Sequence, residues 1–227
     1  MGGSAILLAA EKLNGMIRNA AAVKLGCELA AVVRDGDQVR AEPTGRALPL
    51  AGLSDTPLEA EASFYNKKYT YAYGTQAAHV TVDAGTGHVQ VVEYLSVEDV
   101  GRMINPLTLH GQAIGAIVQG LGGTFLEHLV YDENGQLLTG SFADYLLPTA
   151  SDFPNIRSIT LELKPSPTNP LGAKGAGEGG IIPVGGIVAN AVANALSDLG
   201  VQPCELPLSP PRVWKLIQEA RARKAAA

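Results

Sequence analysis

The chain has 227 residues, 46% of them hydrophobic and 17% charged, with a formal net charge of −5. That is enough for a real core, in one large domain or two small lobes. No Lys/Arg run with interleaved aromatics speaks for nucleic acid, and no run of about 20 apolar residues is present to span a membrane.

Ile6, Ala10, Leu13, Ile17 and Ala21 share one helical face, so a helix is predicted from almost the first residue to about Lys24, closing near Gly26. Such a helix normally follows a loop or strand of the same fold. Nearly nothing precedes it here, so the chain reads as beginning inside a larger architecture. Residues 28–34 and 38–42 flank Asp35-Gly36-Asp37 and predict a hairpin. Residues 43–57 read as a loop with room for one short helical turn, and 58–73 as partly extended. Val80 and Val82, then Asp83-Ala84-Gly85-Thr86-Gly87, then Val89 and Val91, predict a second hairpin.

Residues 107–127 predict a helix with Ile114, Ile117, Val118, Leu121 and Phe125 on one face. Gly111, Gly115, Gly120, Gly122 and Gly123 stand in or near it. Each interior glycine costs roughly 0.5–1 kcal/mol against alanine, which points to close approach by another backbone or a ligand. A third hairpin is expected over 130–138, turning at Asn134-Gly135, and a strand over 156–163. Val184, Ile187, Val188, Ala191, Val192, Ala195, Leu196 and Leu199 then form a helical stripe, begun by Pro183 and ended by Gly200. A last, more polar helix covers 212–224. Hairpins among helices indicate an α+β fold of mixed sheets packed with helices. The whole chain, 1–227, is read as one domain with room for two sub-lobes.

Chemistry concentrates in residues 172–180, Gly-Ala-Lys-Gly-Ala-Gly-Glu-Gly-Gly, where five of nine residues are glycine. A strand, then glycines, then a helix N-terminus makes an anion site of unpaired N–H groups. The loop lacks the P-loop pattern. Gly175-x-Gly177-x-x-Gly180 matches the bare dinucleotide fingerprint, but glycine this dense matches easily by chance and no clear βαβ unit follows. A tight strand-to-helix connection fits the same residues. Glu178 reads either as a partly desolvated proton acceptor or as a helix-cap or solvated acid. Lys174 reads as a surface cation or a ligand contact.

Cys27 and Cys204 are too few for a disulfide framework and lack the paired spacing of a metal site, so a reducing cytoplasm is the expected compartment. Residues 1–5 carry no basic region and do not resemble a signal peptide. His79, His88, His110 and His128 show no metal-ligand spacing. His110 stands out only for preceding Gly111-Gln112 on the glycine-rich helix. No serine nucleophile elbow is present.

Several ordered segments resemble one family. Residues 172–178 followed by 187–196, Ile-Val-Ala-Asn-Ala-Val-Ala-Asn-Ala-Leu, are similar to the C-terminal signature of the molybdenum hydroxylases. These are the large subunits of the xanthine dehydrogenase, aldehyde oxidase and aerobic carbon monoxide dehydrogenase group. Residues 99–106, Asp-Val-Gly-Arg-Met-Ile-Asn-Pro, resemble the approach to that family's cofactor-lining helix. Gly111-Gln112, 119–122, 144–149 and 165–170 fit in the same order.

The resemblance implies a molybdenum–molybdopterin cofactor, in its cytosine dinucleotide form, which the isolated chain is expected not to hold. It implies hydroxylation of an electron-poor carbon with water as oxygen source, on an aldehyde, an N-heterocycle or carbon monoxide. Glu178 falls at the catalytic base. Gln112, with Gly111 beside it, matches a glutamine that contacts the pterin, and Lys174, Gly175, Ala176 and Gly177 match the adjoining loop. No residue is assigned to bind metal directly. The family's large subunit is several times longer, so the chain corresponds to a C-terminal portion of a molybdopterin-binding domain. Its expected partners are the N-terminal part of the molybdenum subunit, an iron–sulfur subunit and an FAD subunit. A structural or assembly module, inactive by itself, is the alternative.

Overall fold

A computed structural model describes residues 1–42, 44–153 and 155–226. Pro43, with which the expected loop 43–57 begins, lies outside them. The described residues fall into two compact units, Met1–Tyr69 with Pro167–Gly172, and Thr70–Ser166 with Ala173–Ala227.

In the first unit, helix α1 (Gly2–Leu25) ends at Gly26, whose left-handed φ of 67° is the conformation that glycine adopts without a Cβ penalty. Strands β1 (Val32–Asp35), β2 (Gln38–Ala41) and β3 (Ala47–Pro49) form an antiparallel sheet in that order. The Asp35-Gly36-Asp37 turn joins β1 to β2 with Asp35 opposite Gln38. β3 falls where the sequence reads as a loop, because three residues flanked by Gly and Pro carry no period of their own. Ala21, Leu25, Val32, Val39, Ala41 and Leu53 form a small core. Only the C-terminal half of the predicted α1 face joins it. Ala10 is exposed and Ile6 is 72% exposed, since no strand of this unit reaches them.

The second unit carries the larger core and the site. Strands β4 (Tyr73–Val82) and β5 (Val89–Asp99) form the predicted hairpin, but they are much longer than the Val/Val alternation marks. Helix α2 (Pro106–Phe125) follows, then β6 (Ile156–Leu161), which pairs parallel to β5. The β5–α2–β6 passage is therefore a βαβ crossover on an otherwise antiparallel sheet of order β4-β5-β6. Helices α3 (Val184–Ala195) and α4 (Pro210–Ala225) complete the unit.

The predicted stripes of α2 and α3 meet in the core, where Ile117, Leu121, Val184, Val188 and Val192 are all buried. Gly120 has a packing reason: a Cβ there would stand 2.6 Å from a Val184 methyl, so the glycine lets α2 and α3 touch closely. The expected third hairpin is reduced to one bridge, Tyr131 with Leu137. Its turn is held instead by Asp132 Oδ1, which accepts from the N–H groups of Asn134 and Gln136 at 2.9 and 2.8 Å. Among the described residues no helix is long and apolar enough to cross a membrane.

Candidate active site

The end of β5, the start of α2 and the glycine-rich loop converge. After Asp99 the chain turns at Gly101, whose φ of 63° requires glycine. Asn105 caps α2, its Oδ1 accepting from Leu107 and Thr108 N–H at 3.1 and 3.3 Å, with Pro106 opening the helix. Residue 173 bridges to Gly101, and the Lys174 N–H donates to the Val100 carbonyl at 2.9 Å. The loop is thus stitched to the end of the sheet. Its far end is a turn in which the Glu178 carbonyl accepts from Ile181 and Ile182 N–H.

Helix α2 holds the loop from the other side. The Gln112 Nε2 donates to the Gly177 carbonyl at 2.8 Å. Gly180 rests directly on the helix, where a Cβ would come within 2.7 Å of the Ala113 carbonyl and 2.9 Å of the Ala116 methyl.

Lys174 is neither a surface cation nor free to reach a ligand with its ammonium. Its Nζ lies 3.0 Å from Asp99 Oδ1, both side chains are about 95% buried, and the Tyr73 ring sits 4.1 Å from the ammonium. Asp99 also accepts from Gly101, Leu163 and Lys164 N–H. Burial by itself raises this carboxyl. The Gly101 N–H, the Lys174 pair and the Lys164 N–H outweigh burial and hold it below the usual carboxylate range. The pair spans 75 residues of sequence and fixes the start of the loop to the end of β5.

Glu178 lines a cavity of ≈ 710 Å³ with Tyr73, Gln76, Glu98, Gly175, Gly177 and Gly179. It is exposed rather than semi-buried within this chain. Its carboxylate makes no hydrogen bond or ion pair with any described residue. It does not cap α3 either, whose N-cap is Pro183 with no side-chain bond. Of the readings open for this acid, an unengaged carboxylate facing a cavity is the one the geometry displays.

Sequence reasoning missed the residues beneath the loop. Glu98, 8% exposed, accepts at Oε1 from Ser96 Oγ at 2.8 Å and from Gln76 Nε2 at 3.1 Å. The same Gln76 amide donates to the Gly179 carbonyl at 2.9 Å, while its oxygen accepts from Tyr94 OH at 2.6 Å. Burial, then the Glu98 charge, push the Tyr94 hydroxyl far above its usual range, so it stays a donor. The only signal for these side chains was alternation along two strands, which marks facing and says nothing of chemistry.

The molybdopterin group implied by the resemblance can be tested against the loop. A Cβ at Gly111, Gly175 or Gly177 would meet nothing within 4 Å, and none of the three has a φ that demands glycine. Neither packing nor backbone conformation within the chain accounts for their bareness. Gly177 lines both the large cavity and a second one of ≈ 450 Å³, shared with Asn105, Gln112, Lys174 and Ala176. Backbone bared on two sides, with an amide side chain alongside, fits a large planar group with many acceptors. Among the described residues no cluster of His, Cys, Asp and Glu can hold a metal ion by itself. His110 borders a separate cavity with Ile114, Val118 and Phe153.

Comparison with known proteins agrees with this geometry. Residues 1–154 match the model of the molybdopterin cofactor-binding domain, and the chain belongs to that family. The match includes Gly111 and Gln112 and stops short of the glycine-rich loop. Over 166 residues the chain is 42% identical to the 6-hydroxypseudooxynicotine dehydrogenase complex subunit gamma of Paenarthrobacter nicotinovorans, covering 73% of this chain and 21% of that protein. It is 33% identical to the carbon monoxide dehydrogenase large chain of Hydrogenophaga pseudoflava, over 75% of this chain and 21% of that one. Quinoline 2-oxidoreductase from Pseudomonas putida 86 superposes with a TM-score of 0.82 at 35% identity, over 93% of this chain and 29% of that one. The Cu,Mo-CO dehydrogenase gives a TM-score of 0.86 at 26% identity, over 97% and 29%. The chain therefore spans about a fifth of the length of these curated relatives.

Proposed function

We propose that this chain contributes the general base Glu178, and one wall of the pterin pocket, to a molybdenum hydroxylase. That enzyme hydroxylates an electron-poor carbon of a small substrate, an aldehyde, an N-heterocycle or carbon monoxide, with water as the oxygen source. One observation carries the reading: the loop's only carboxylate faces the ≈ 710 Å³ cavity unpaired, on backbone stripped of side chains.

Gly111, Gln112, Gly175, Ala176 and Gly177, with the backbone of Lys174, would hold the molybdopterin. When bound, this group would supply the redox step, accepting the two electrons released as the substrate carbon is oxidised. The chain's own task is the proton. Glu178 accepts it from the oxygen nucleophile as the C–O bond forms, a contribution of about 10²–10⁴-fold for a well-placed base. Its backbone is set by the Ile181 and Ile182 N–H groups at one end and the Lys174–Asp99 pair at the other. Lys174 serves through its backbone and this pair.

The same reading gives the finer assignments. The cofactor is the cytosine dinucleotide form, and the isolated chain does not retain it. The N-terminal part of the molybdenum subunit covers the exposed side of Glu178 and shields it from bulk solvent. An iron–sulfur subunit and an FAD subunit carry the electrons away. The relatives' names, a complex subunit and a large chain, support an assembly of this kind. Two free cysteines suit a cytoplasmic location.

The test is Glu178→Gln in the assembled enzyme. Turnover is lost while molybdenum content stays at the wild-type level. Near-wild-type kcat refutes the base assignment, and a chain that never retains molybdenum, even with its partners co-expressed, supports a purely structural module instead.

A further inference from the structure

Resting on Glu178 as the base, we propose that Gln76 is a positioning residue for it, clamping the adjacent Gly179 and itself held by the buried side chains of Tyr94 and Glu98. Gln76 lies 103 residues from Gly179 in sequence and reaches it from β4. Its amide is satisfied on every side that matters: Tyr94 OH donates to Oε1, and Nε2 donates both to the Gly179 carbonyl and to Glu98 Oε1. Glu98 is fixed in turn by Ser96 Oγ, and Tyr94 and Ser96 are both 0% exposed. A buried polar network whose members are all paired has one arrangement, which is what a positioning element needs.

The contact is also steric. A Cβ at Gly179 would collide with Glu98 Oε2 and lie 2.9 Å from its carboxyl carbon, although the φ of Gly179 does not require glycine. Gly179 is therefore bare because the Glu98 carboxylate fills that space. This separates it from Gly175 and Gly177, which are bare toward open volume. The peptide after the base is pinned by one hydrogen bond and one surface contact, both made by the network. Lys174 and Gln112 hold the loop before the base; after it, loss of Gln76 would leave only the Ile181 and Ile182 N–H groups and the seat of Gly180 on α2 to fix the segment, with nothing tying Gly179 itself to the sheet.

The experiment uses Gln76→Leu, Gly179→Ala and the double variant Gly179→Ala/Glu98→Asp, with Glu178→Gln as control. Amide hydrogen exchange over 176–182 is read in the full chain, and kcat and KM in the cofactor-loaded enzyme. Gln76→Leu and Gly179→Ala are expected to speed exchange in this segment. They should lower kcat by about 10- to 100-fold with KM changed less than about 2-fold, as for a base displaced by a fraction of an ångström. Shortening Glu98 by one methylene, about 1.5 Å, makes room for the added methyl while weakening its bonds to Gln76 and Ser96, so the double variant should recover kcat in part, and slow exchange, relative to Gly179→Ala alone. Wild-type exchange and kcat in Gln76→Leu, or a double variant no better than Gly179→Ala, overturns the proposal. If Gln76→Leu does not fold, Ser96→Ala, which removes one anchor of Glu98 without adding bulk, is expected to show the same losses at smaller size, and wild-type behaviour there counts against the clamp. Glu178→Gln separates the two claims: it should abolish turnover with exchange unchanged, and retained turnover sinks the base while the exchange data still decide the clamp.

Discussion

Replacing Gly180 by alanine probes how closely the loop must sit on α2. The new Cβ would lie 2.7 Å from the Ala113 carbonyl oxygen, 2.9 Å from the Ala116 methyl and 3.3 Å from Ile117 Cγ1. Ordinary contact begins at 3.4 Å, so the loop must withdraw by the difference, about 0.7 Å. The obstacle is a helix backbone and a methyl fixed to it, and neither can rotate aside. Overpacking of this kind costs about 1–3 kcal/mol, visible as a lower midpoint in urea unfolding. Gly180 is two residues from Glu178. If a misplacement of about 1 Å costs about 100-fold, a shift of about 0.7 Å lowers kcat of the loaded enzyme by about 25-fold, with KM little changed. An unchanged unfolding midpoint together with kcat within about two-fold of wild type would refute this seat of the loop.

Three further outcomes follow from the same geometry. Gly111→Ala, an interior helix substitution into open space, should stabilise the chain by about 0.5–1 kcal/mol yet reduce molybdenum retained by the assembled enzyme, measured by metal analysis. Gln112→Ala removes the amide that holds the Gly177 carbonyl and should lower retained molybdenum while leaving thermal unfolding of the chain nearly unchanged, since both groups are exposed and water replaces the bond. Asp99 has a folded-state pKa below its unfolded value of about 3.9, so its contribution is fully present above that value and is lost as pH falls through the folded pKa. Urea midpoints measured below about pH 4 should therefore fall less steeply in Asp99→Asn than in the wild type, although the variant starts from a lower stability at neutral pH.

Local signals carried the elements that are local. The stripes of α2 and α3, the glycine ending α1 and the Asp35-Gly36-Asp37 turn all depend on residues a few positions apart, and each is where the pattern puts it. Strand β3 and the single bridge at Tyr131 depend on what lies alongside, so composition misled in opposite directions. The apolar face of α1 was legible, but not that Ile6, at its start, stands exposed. In the site, glycine density located the loop and Glu178. It could not reveal that Lys174 is committed to Asp99, or that Gln76, Tyr94 and Glu98 stand under Gly179. Those contacts join residues 75 and 103 positions apart and leave no period to read. The resemblance supplied the role proposed for Glu178, which spacing alone left open between base and cap.

The most direct test of the central claim is the single-turnover rate of substrate oxidation by the loaded enzyme carrying Glu178→Gln, compared with wild type at equal molybdenum content. A general base at this position predicts a fall of about 10²-fold or more in that rate, with substrate affinity unchanged. A rate within about two-fold of wild type would contradict the assignment and return Glu178 to the status of a solvated acid at the mouth of the loop.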